Sequence, residues 1–577
     1  MEYEFNKYRT NTCIEINKSF ISKKVKIAGW IRTKRDHGGI LFLDIYDHSG
    51  MIQCTIHPEH SGFSQIEDLK VESVISVLGE VVLRDDQNIN KNIPSGEIEL
   101  IIESFNILSS AEILPFALHQ EDLNEELQLS YRFLYLRTPE MQKILKLRTD
   151  VINFLRNQMN SLGFQEIQTP LLASPSPEGA RDYVVPSRMH PGKFYALPQA
   201  PQQFKQLLMA SGVSKYFQIA PCFRDEDSRA DRLIGEFYQL DFEMAFAQQE
   251  DVLNVLQSVL SKTFKEFSDA EIEDVFPRIP YTEAIETYGT DKPDLRNPLK
   301  IFDITDIQEA PDILKPVVEK GGRLLTVSVK MDYNNNELKK LTKVMMDKGA
   351  KGLAYCYLKD GSWTGPLSKM LSTETLKQAT QKDDHNLLFL IADTYDISHK
   401  LSGMLITELG NMLNLINKND YKFCFITDFP MFEKTDGVWD FMHNPFSMPQ
   451  DIDLPLGEIL SYQYDVVCNG YEITSGAVRN HNLNLIHKVF SLIGQDASDL
   501  ESRFPVFKSF KYGVPPHAGA APGIDRIIML LSKKSNVRDI VAFPMNQKGE
   551  NLLMESPCFL DEKFLKEIAI KTLDNSK

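Results

Sequence analysis

Between Phe223 and Phe246 the sequence reads FRDEDSRADRLIGEFYQLDFEMAF, with Arg224, Arg229 and Arg232 ahead of a strictly alternating run. Strand side chains alternate between faces, so Phe237, Gln239, Asp241 and Glu243 share one face and Tyr238, Leu240, Phe242 and Met244 the other. A half-buried sheet ordinarily turns its polar face to water. An aromatic ring, an amide and two acids opposite guanidinium groups would instead suit an anionic ligand carrying a flat base and an ammonium group. The competing reading is a solvated hairpin whose charges form exposed ion pairs of little energetic weight. A second constellation lies near the N-terminus, where Phe42 and Asp44 share the polar face of a strand near Arg32, Lys34 and Arg35. Single-stranded bases stack on such rings. A ring capping a small barrel beside a solvated basic turn would look the same.

The elements that must position these residues follow from hydrophobic period. Residues 1–110 contain five strand candidates, Val25–Ile31, Ile40–Tyr46, Met51–Ile56, Val74–Leu83 and Ile98–Leu108, separated by glycine-containing turns, which predicts a five-stranded OB-type β-barrel. Residues 111–137 form a polar, acidic connector that reads as a hinge. In 138–290 the period becomes helical through Ile144, Leu147, Val151, Phe154, Leu155, Met159 and Leu162, stopping at Gly163. A strand, Phe164 to Thr169, then meets Pro170, and a helix, Gln202 to Ala210, ends before Gly212. Residues 291–420 alternate helices such as Asn336 to Met346 with strands such as Leu353 to Leu358, which predicts an inserted α+β domain. Strands return over 421–560, at Phe423 to Thr427 and Tyr464 to Tyr471, before a glycine-rich loop and helix at Gly519 to Leu531. Residues 561–577 form a short helical tail.

The 577 residues exceed one core and suggest three or four domains. No run is long and apolar enough to span a bilayer. The start, MEYEFNKYRTNTC, has neither a signal-peptide core nor a transit-peptide composition, so the expected location is cytoplasmic. The seven cysteines form no CxxC pair, which argues against a thiolate zinc site and a disulfide framework. A net charge of −17 would count against a nucleic-acid partner if it were evenly spread, but local basic patches survive an acidic total.

Three separated segments share a resemblance. The helix, strand and Pro170, the FRDE loop with its following strand, and GAAPGIDR at 519–526 resemble motifs one, two and three of the class II aminoacyl-tRNA synthetases. PEGARDYVVPSR at 177–188, FYALPQAPQQFKQLLM at 194–209 and NGYEITSGAVR at 469–479 are similar to the bacterial-type aspartyl branch. The resemblance runs essentially the whole length and implies an α+β multidomain protein. Its catalytic core would be an antiparallel sheet flanked by helices and interrupted by the inserted domain. It also implies a homodimer, with ATP and L-aspartate as substrates, Mg2+ as cofactor and the aspartate tRNA as acceptor. Whether the asparagine tRNA is charged too stays open. An asparaginyl or lysyl relative and a non-catalytic RNA-binding paralogue are the rivals.

Carried over residue by residue, the resemblance implies that Arg224 holds the α-phosphate and substrate carboxylate, and Arg526 the γ-phosphate. Phe237 would stack under adenine and Glu226 accept from its amino group, while Asp465 and Glu472 would hold magnesium on the phosphates. Lys205 and Arg479 would clamp the aspartate side chain, with Glu178, Gln202, Gln239, Asp241 and His443 around the rest of the amino acid. In the N-terminal module, Arg35, Phe42, Gln53 and Glu99 would read the anticodon. Asn444 and Ala477 depart from common family residues. Glu243 shares the polar face but receives no role.

Overall fold

In the barrel, side chains alternate between faces along each strand, and the fold turns one apolar set inward to form a dry interior. The computed structural model describes residues 7–118, 120, 122–175, 180–227, 232–307, 311–332, 334–380, 382, 384–496 and 500–572. Strands Lys24–His37, Ile40–Tyr46, Met51–Ile56, Val74–Leu83 and Ile98–Ser109 close a barrel in the order first, second, third, fifth, fourth. Ile27, Ile31, Leu43, Ile45, Ile52, Cys54, Val77 and Leu100 fill its interior. The alternate positions Phe42, Asp44, Gln53, Thr55 and Glu99 are thereby placed on the other face. The first strand runs six residues past its expected end because Thr33–His37 pair with Asp44–Ile40 after a bulge at Arg32. Those residues are polar, so hydrophobic period could not mark them. Arg32, at that bulge, is held within the barrel unit: its guanidinium lies over the Tyr46 ring at 4.0 Å and donates to the Arg137 carbonyl and to Glu72.

The chain divides into two compact units, 1–128 with 133–142, and 129–132 with 143–577. The expected hinge is not structureless, since Glu125–Ser130 and Arg132–Tyr135 are short helices. Arg132 belongs to the larger unit, where it donates to the carbonyls of Arg538, Val541 and Ala542.

The larger unit is built on an eight-stranded sheet in the order Arg278–Pro280, Phe423–Thr427, Gln463–Cys468, Tyr471–Val478, His517–Pro522, Gly235–Ala245, Lys215–Arg224 and Gln165–Glu166. The six inner strands are antiparallel, and only the two edge strands run parallel to their neighbours. Three expectations are corrected here. The strand expected at 164–169 is only Gln165–Glu166, an edge pairing too short to need more. The run expected as one strand at 464–471 is a hairpin turning at Asn469 and Gly470, both at positive φ. The glycine-rich run at 519 is not a loop but part of the central strand His517–Pro522. Glycine is required there because a Cβ on Gly519 would lie 2.2 Å from both the Phe242 carbonyl oxygen and the Glu243 carboxylate. Helix Ile524–Leu531 follows that strand, and Gln249–Phe267 buries Val252, Leu256, Leu260 and Phe264.

Within 291–420 a separate five-stranded antiparallel sheet places alternate residues of its strands in two cores. Leu325, Val327 and Phe389 join one, and Leu324, Leu388 and Leu390 the other. Of the seven cysteines, all but Cys558 are buried, and all are free. Among the described residues no helix is long and apolar enough to cross a membrane.

Candidate active site

On the polar face of Gly235–Ala245, Asp241 and Glu243 are buried, while Phe237 and Gln239 are partly exposed. A cleft of about 550 Å³ opens over this face, walled by the helix Gln202–Ala210, the strands Lys215–Arg224 and Tyr471–Val478, and the start of Ile524–Leu531. Arg224, Glu226, Phe237, Gln239, Asp241, Gln202, Lys205, His443, Glu472, Arg479 and Arg526 all line this one space. Glu178 and Arg229 lie outside the described residues. Asp465 sits behind the wall, only 2% exposed.

At the floor, two cations meet two acids. Lys205 donates to Asp241 Oδ1 at 2.8 Å and lies 3.3 Å from Glu243 Oε2. Arg479 grips Glu243 with both prongs, Nε to Oε1 at 2.9 Å and a terminal nitrogen to Oε2 at 3.2 Å. Glu243, for which the sequence suggests no role, therefore holds both cations. All four side chains are essentially inaccessible. The two acids respond differently. Burial pushes the Asp241 carboxyl above its ordinary range despite Lys205. Burial acts on Glu243 in the same direction, but Arg479 and then Lys205 outweigh it and hold its pKa below the ordinary range. Asp241 Oδ2 is buried near the Tyr216 hydroxyl without a hydrogen bond of good geometry between them.

At the mouth, the Arg224 guanidinium lies 4.9 Å from the Phe237 ring centroid, and its Nε is buried with no hydrogen-bond partner among the described residues. An unpaired buried donor costs free energy unless a ligand satisfies it. Glu226 is ion-paired with Arg232. Arg526 donates to the Glu472 backbone carbonyl and stands 3.9 Å from its carboxylate. Lys292 lies 3.4 Å from Glu472 and 2.8 Å from Asp291. Lys292 lines the cleft although it falls within 291–420, the stretch expected to form the inserted domain. Burial first, and Glu472 second, drive the Asp465 carboxyl well above the ordinary range.

The remaining walls are structural. Asp525 accepts from Arg148 at 2.6 Å and from the Tyr238 backbone N–H at 2.9 Å, which ties helix Ile524–Leu531 to the hairpin. Asn444 accepts from the Phe446 backbone N–H at 3.0 Å, so this departure from the common family residue caps its own loop. Ala477 is fully buried in the sheet and does not line the cleft. His443 lines the cleft and packs edge-on against Phe429 at 4.9 Å. Desolvation lowers its pKa below the ordinary histidine value.

Mg2+ takes oxygen ligands, few of them from protein, and completes its shell with phosphate oxygens and water. Glu472 with Asp465 behind it fits that pattern. Among the described residues no cluster of three acid, histidine or cysteine side chains could cage a metal alone.

On the barrel, the polar residues facing away from its interior, of which Asp44, Gln53 and Thr55 are buried, form one network. Arg35 donates to Asp44 at 3.0 Å and to Gln53 at 3.2 Å, while the Gln53 amide and the Thr55 hydroxyl each donate to Glu99 at 2.7 Å. Phe42 is half-buried beside them, edge-on to His37 at 5.9 Å.

An antiparallel sheet carrying a cleft with arginine at its mouth and acids at its floor, together with an OB barrel, suits an anionic ligand and a nucleic acid. Two family descriptions match: tRNA synthetases class II (D, K and N) over residues 124–547, and OB-fold nucleic acid binding domain over residues 25–108. The chain belongs to the class II aminoacyl-tRNA synthetases and is an aminoacyl-tRNA ligase. It is 44% identical to the aspartate–tRNA(Asp/Asn) ligase of Rickettsia bellii (strain OSU 85-389) over 98% of each chain. It is 45% identical to the ligase of that name from Pelagibacter ubique (strain HTCC1062), over 98% of this chain and 99% of the relative. Among solved structures it is similar in fold to asparaginyl-tRNA synthetase from Pyrococcus horikoshii complexed with asparaginyl-adenylate. There the TM-score is 0.58 at 20% identity, over 92% of this chain and 97% of that one. The aspartyl-tRNA synthetase from Entamoeba histolytica gives the same score and identity, over 92% and 91%.

Proposed function

We propose that this cleft joins L-aspartate to ATP as aspartyl-adenylate, and that the aspartyl group then passes to the 3′-terminal adenosine of tRNA. The observation that carries the reading is the floor, where Lys205 and Arg479 are buried beside Asp241 and Glu243. The side-chain carboxylate of aspartate would join the two cations, and its ammonium group would face Asp241, Gln239 and Gln202. Asparagine has the same shape but brings no charge, so the cations would gain nothing for the water they lose. Lysine would set a third cation against them.

In the first step an oxygen of the aspartate α-carboxylate bonds to the α-phosphorus of ATP as the bond to pyrophosphate breaks. No proton leaves the attacking group, so the protein has mainly to align and neutralise. Arg224, with its unsatisfied Nε, would bind the α-phosphate and carboxylate, and Arg526 the terminal phosphate. Phe237 would carry the adenine, and Glu226 would accept from the base while still close to Arg232. Mg2+ held by Asp465 and Glu472 would neutralise phosphate charge. In the second step a ribose hydroxyl oxygen of the tRNA attacks the aspartyl carbonyl carbon. AMP leaves as the hydroxyl proton is lost.

Arg35, Phe42, Gln53 and Glu99 would read the anticodon, with unstacked loop bases on Phe42. The relatives' names carry both tRNA(Asp) and tRNA(Asn), which favours the wider range for this chain. A dimer through the first motif would cover Leu171 and Leu172, which are 44% and 54% exposed just after Pro170. ATP–pyrophosphate exchange tests the core of the reading. It should require aspartate, and exchange supported by asparagine or lysine in its place would refute it. Charging purified aspartate and asparagine tRNAs side by side tests the range, and light scattering tests the dimer.

A further inference from the structure

Behind Gln202 a line of buried polar groups leads away from the cleft. His517, on the central strand, is fully buried; Nδ1 lies 2.9 Å from the Pro515 carbonyl oxygen, and Nε2 lies 3.0 Å from the Gln206 amide. The other end of the Gln206 amide meets Gln202 at 3.2 Å.

The polarity of this line is set from its far end. A carbonyl oxygen can only accept, so His517 must donate from Nδ1. Burial lowers the histidine pKa, so the ring is neutral and Nε2 must accept. Gln206 can therefore present only its NH2 to the ring, which leaves its Oε1 for Gln202. Gln202 then donates to that oxygen, and its own carbonyl remains as the acceptor for the cleft. Reversing any one amide would set two donors or two acceptors against each other in a buried place.

We propose that His517, through Gln206, is a positioning residue that fixes the Gln202 amide with its carbonyl toward the ammonium group of the amino acid. The inference rests on the reading of the cleft as an aspartate site. A free Gln202 amide could turn its NH2 to the ammonium and repel it. The locked amide cannot.

The test uses the full chain in ATP–pyrophosphate exchange, with melting temperature as a control. His517→Phe removes the acceptor at Nε2, whereas His517→Gln can place an amide oxygen near the same point. In the Phe variant the KM for aspartate should rise roughly threefold to tenfold, the range expected for one misdirected hydrogen bond, with the KM for ATP unchanged. The Gln variant should recover most of the loss, and Gln206→Met should reproduce the Phe variant. A wild-type aspartate KM in Gln206→Met overturns the relay even if the Phe variant fails to fold. Parallel rises in both KM values, or a folded Gln variant as defective as Phe, also overturn it by marking His517 as structural. Absence of aspartate-dependent exchange in the unmodified protein would instead sink the aspartate reading beneath it.

Discussion

Glu243→Gln separates the two jobs of the cleft floor. The wild-type carboxylate is fully buried and meets Arg479 at 2.9 and 3.2 Å and Lys205 at 3.3 Å. The amide keeps the shape but loses the charge, so two buried cations would share the single anion Asp241. Removing one partner of a buried ion pair costs about 3–5 kcal/mol, and the amide oxygen, which can still accept from Arg479, should keep the loss near the lower figure. Aspartate should then matter more to the variant than to the wild type, because its side-chain carboxylate supplies the missing negative charge. A ligand at about 100 times its Kd stabilises by roughly 2.7 kcal/mol, and each tenfold gain in affinity adds about 1.4 kcal/mol at fixed concentration. Scanning fluorimetry with and without aspartate should show a lower melting temperature for the free variant and a larger upward shift on adding aspartate. Turnover should fall, since Arg479 loses the partner that orients it. An unchanged melting temperature, or equal rescue by asparagine, would refute the charge argument.

Gly519→Ala would bring a Cβ to 2.2 Å from both Glu243 and the Phe242 carbonyl, so the central strand must shift. A loss of about 1–3 kcal/mol or more is expected, read as a lower melting temperature with poorer aspartate activation. Phe42→Ala should raise the KM for tRNA by the equivalent of about 1–3 kcal/mol while leaving pyrophosphate exchange unchanged. Equal losses in both half-reactions would make the ring structural. The folded pKa of Glu243 is lowered, so its stabilisation is present above the ordinary glutamate value of about 4.3 and is lost as pH falls through the folded value. The stability gap between wild type and Glu243→Gln should therefore close in acid, and a gap independent of pH would contradict the ion pair. Asp241 has the opposite sign: its pKa is raised, so its ionisation opposes folding as pH rises from the ordinary carboxylate range through the folded value.

Much of the scaffold was legible because period alone carries it. The barrel strands and the helix Gln202–Ala210 follow directly from apolar spacing, and the alternation from Phe237 to Met244 gave the correct faces. Period failed where side chains are small or polar. His517–Pro522 reads HAGAAP, with no bulky residue to mark a strand, yet it lies at the centre of the sheet because Gly519 lets Glu243 approach. The hairpin at Asn469 and Gly470 was hidden by apolar residues continuing through the turn, although an Asn-Gly pair is itself a hairpin signal. Arg32 looked like part of a nucleic-acid surface until its partners Glu72, Tyr46 and the Arg137 carbonyl were visible, one of them more than a hundred residues away in sequence.

The residues missed at the site share one property: each acts on another side chain. Glu243 holds Lys205 and Arg479, Lys292 stands beside Glu472, and Arg148 holds Asp525. A motif read along the chain records which groups could face a ligand, but not the contacts that hold them, such as Arg148 on the helix Pro139–Ser161 against Asp525. The one available signal was the uninterrupted polar face itself. Water would have made Glu243 unremarkable there, but a second acid beside Asp241 in a dry cleft must have cationic partners, since an unpaired buried carboxylate would take up a proton instead. The sequence does not show that the cleft is dry, so the pairing of Glu243 with Lys205 and Arg479 becomes visible only in the fold. The resulting floor carries two positive and two negative side chains, so an entering aspartate adds its charge to a balanced set. Asp241 is the acid whose charge is least favoured by its surroundings. The ammonium group of the amino acid, arriving beside it, would stabilise that charge as the side-chain carboxylate draws on Lys205 and Arg479. Selection for a substrate with both charges would follow from that exchange more than from the size of the cleft.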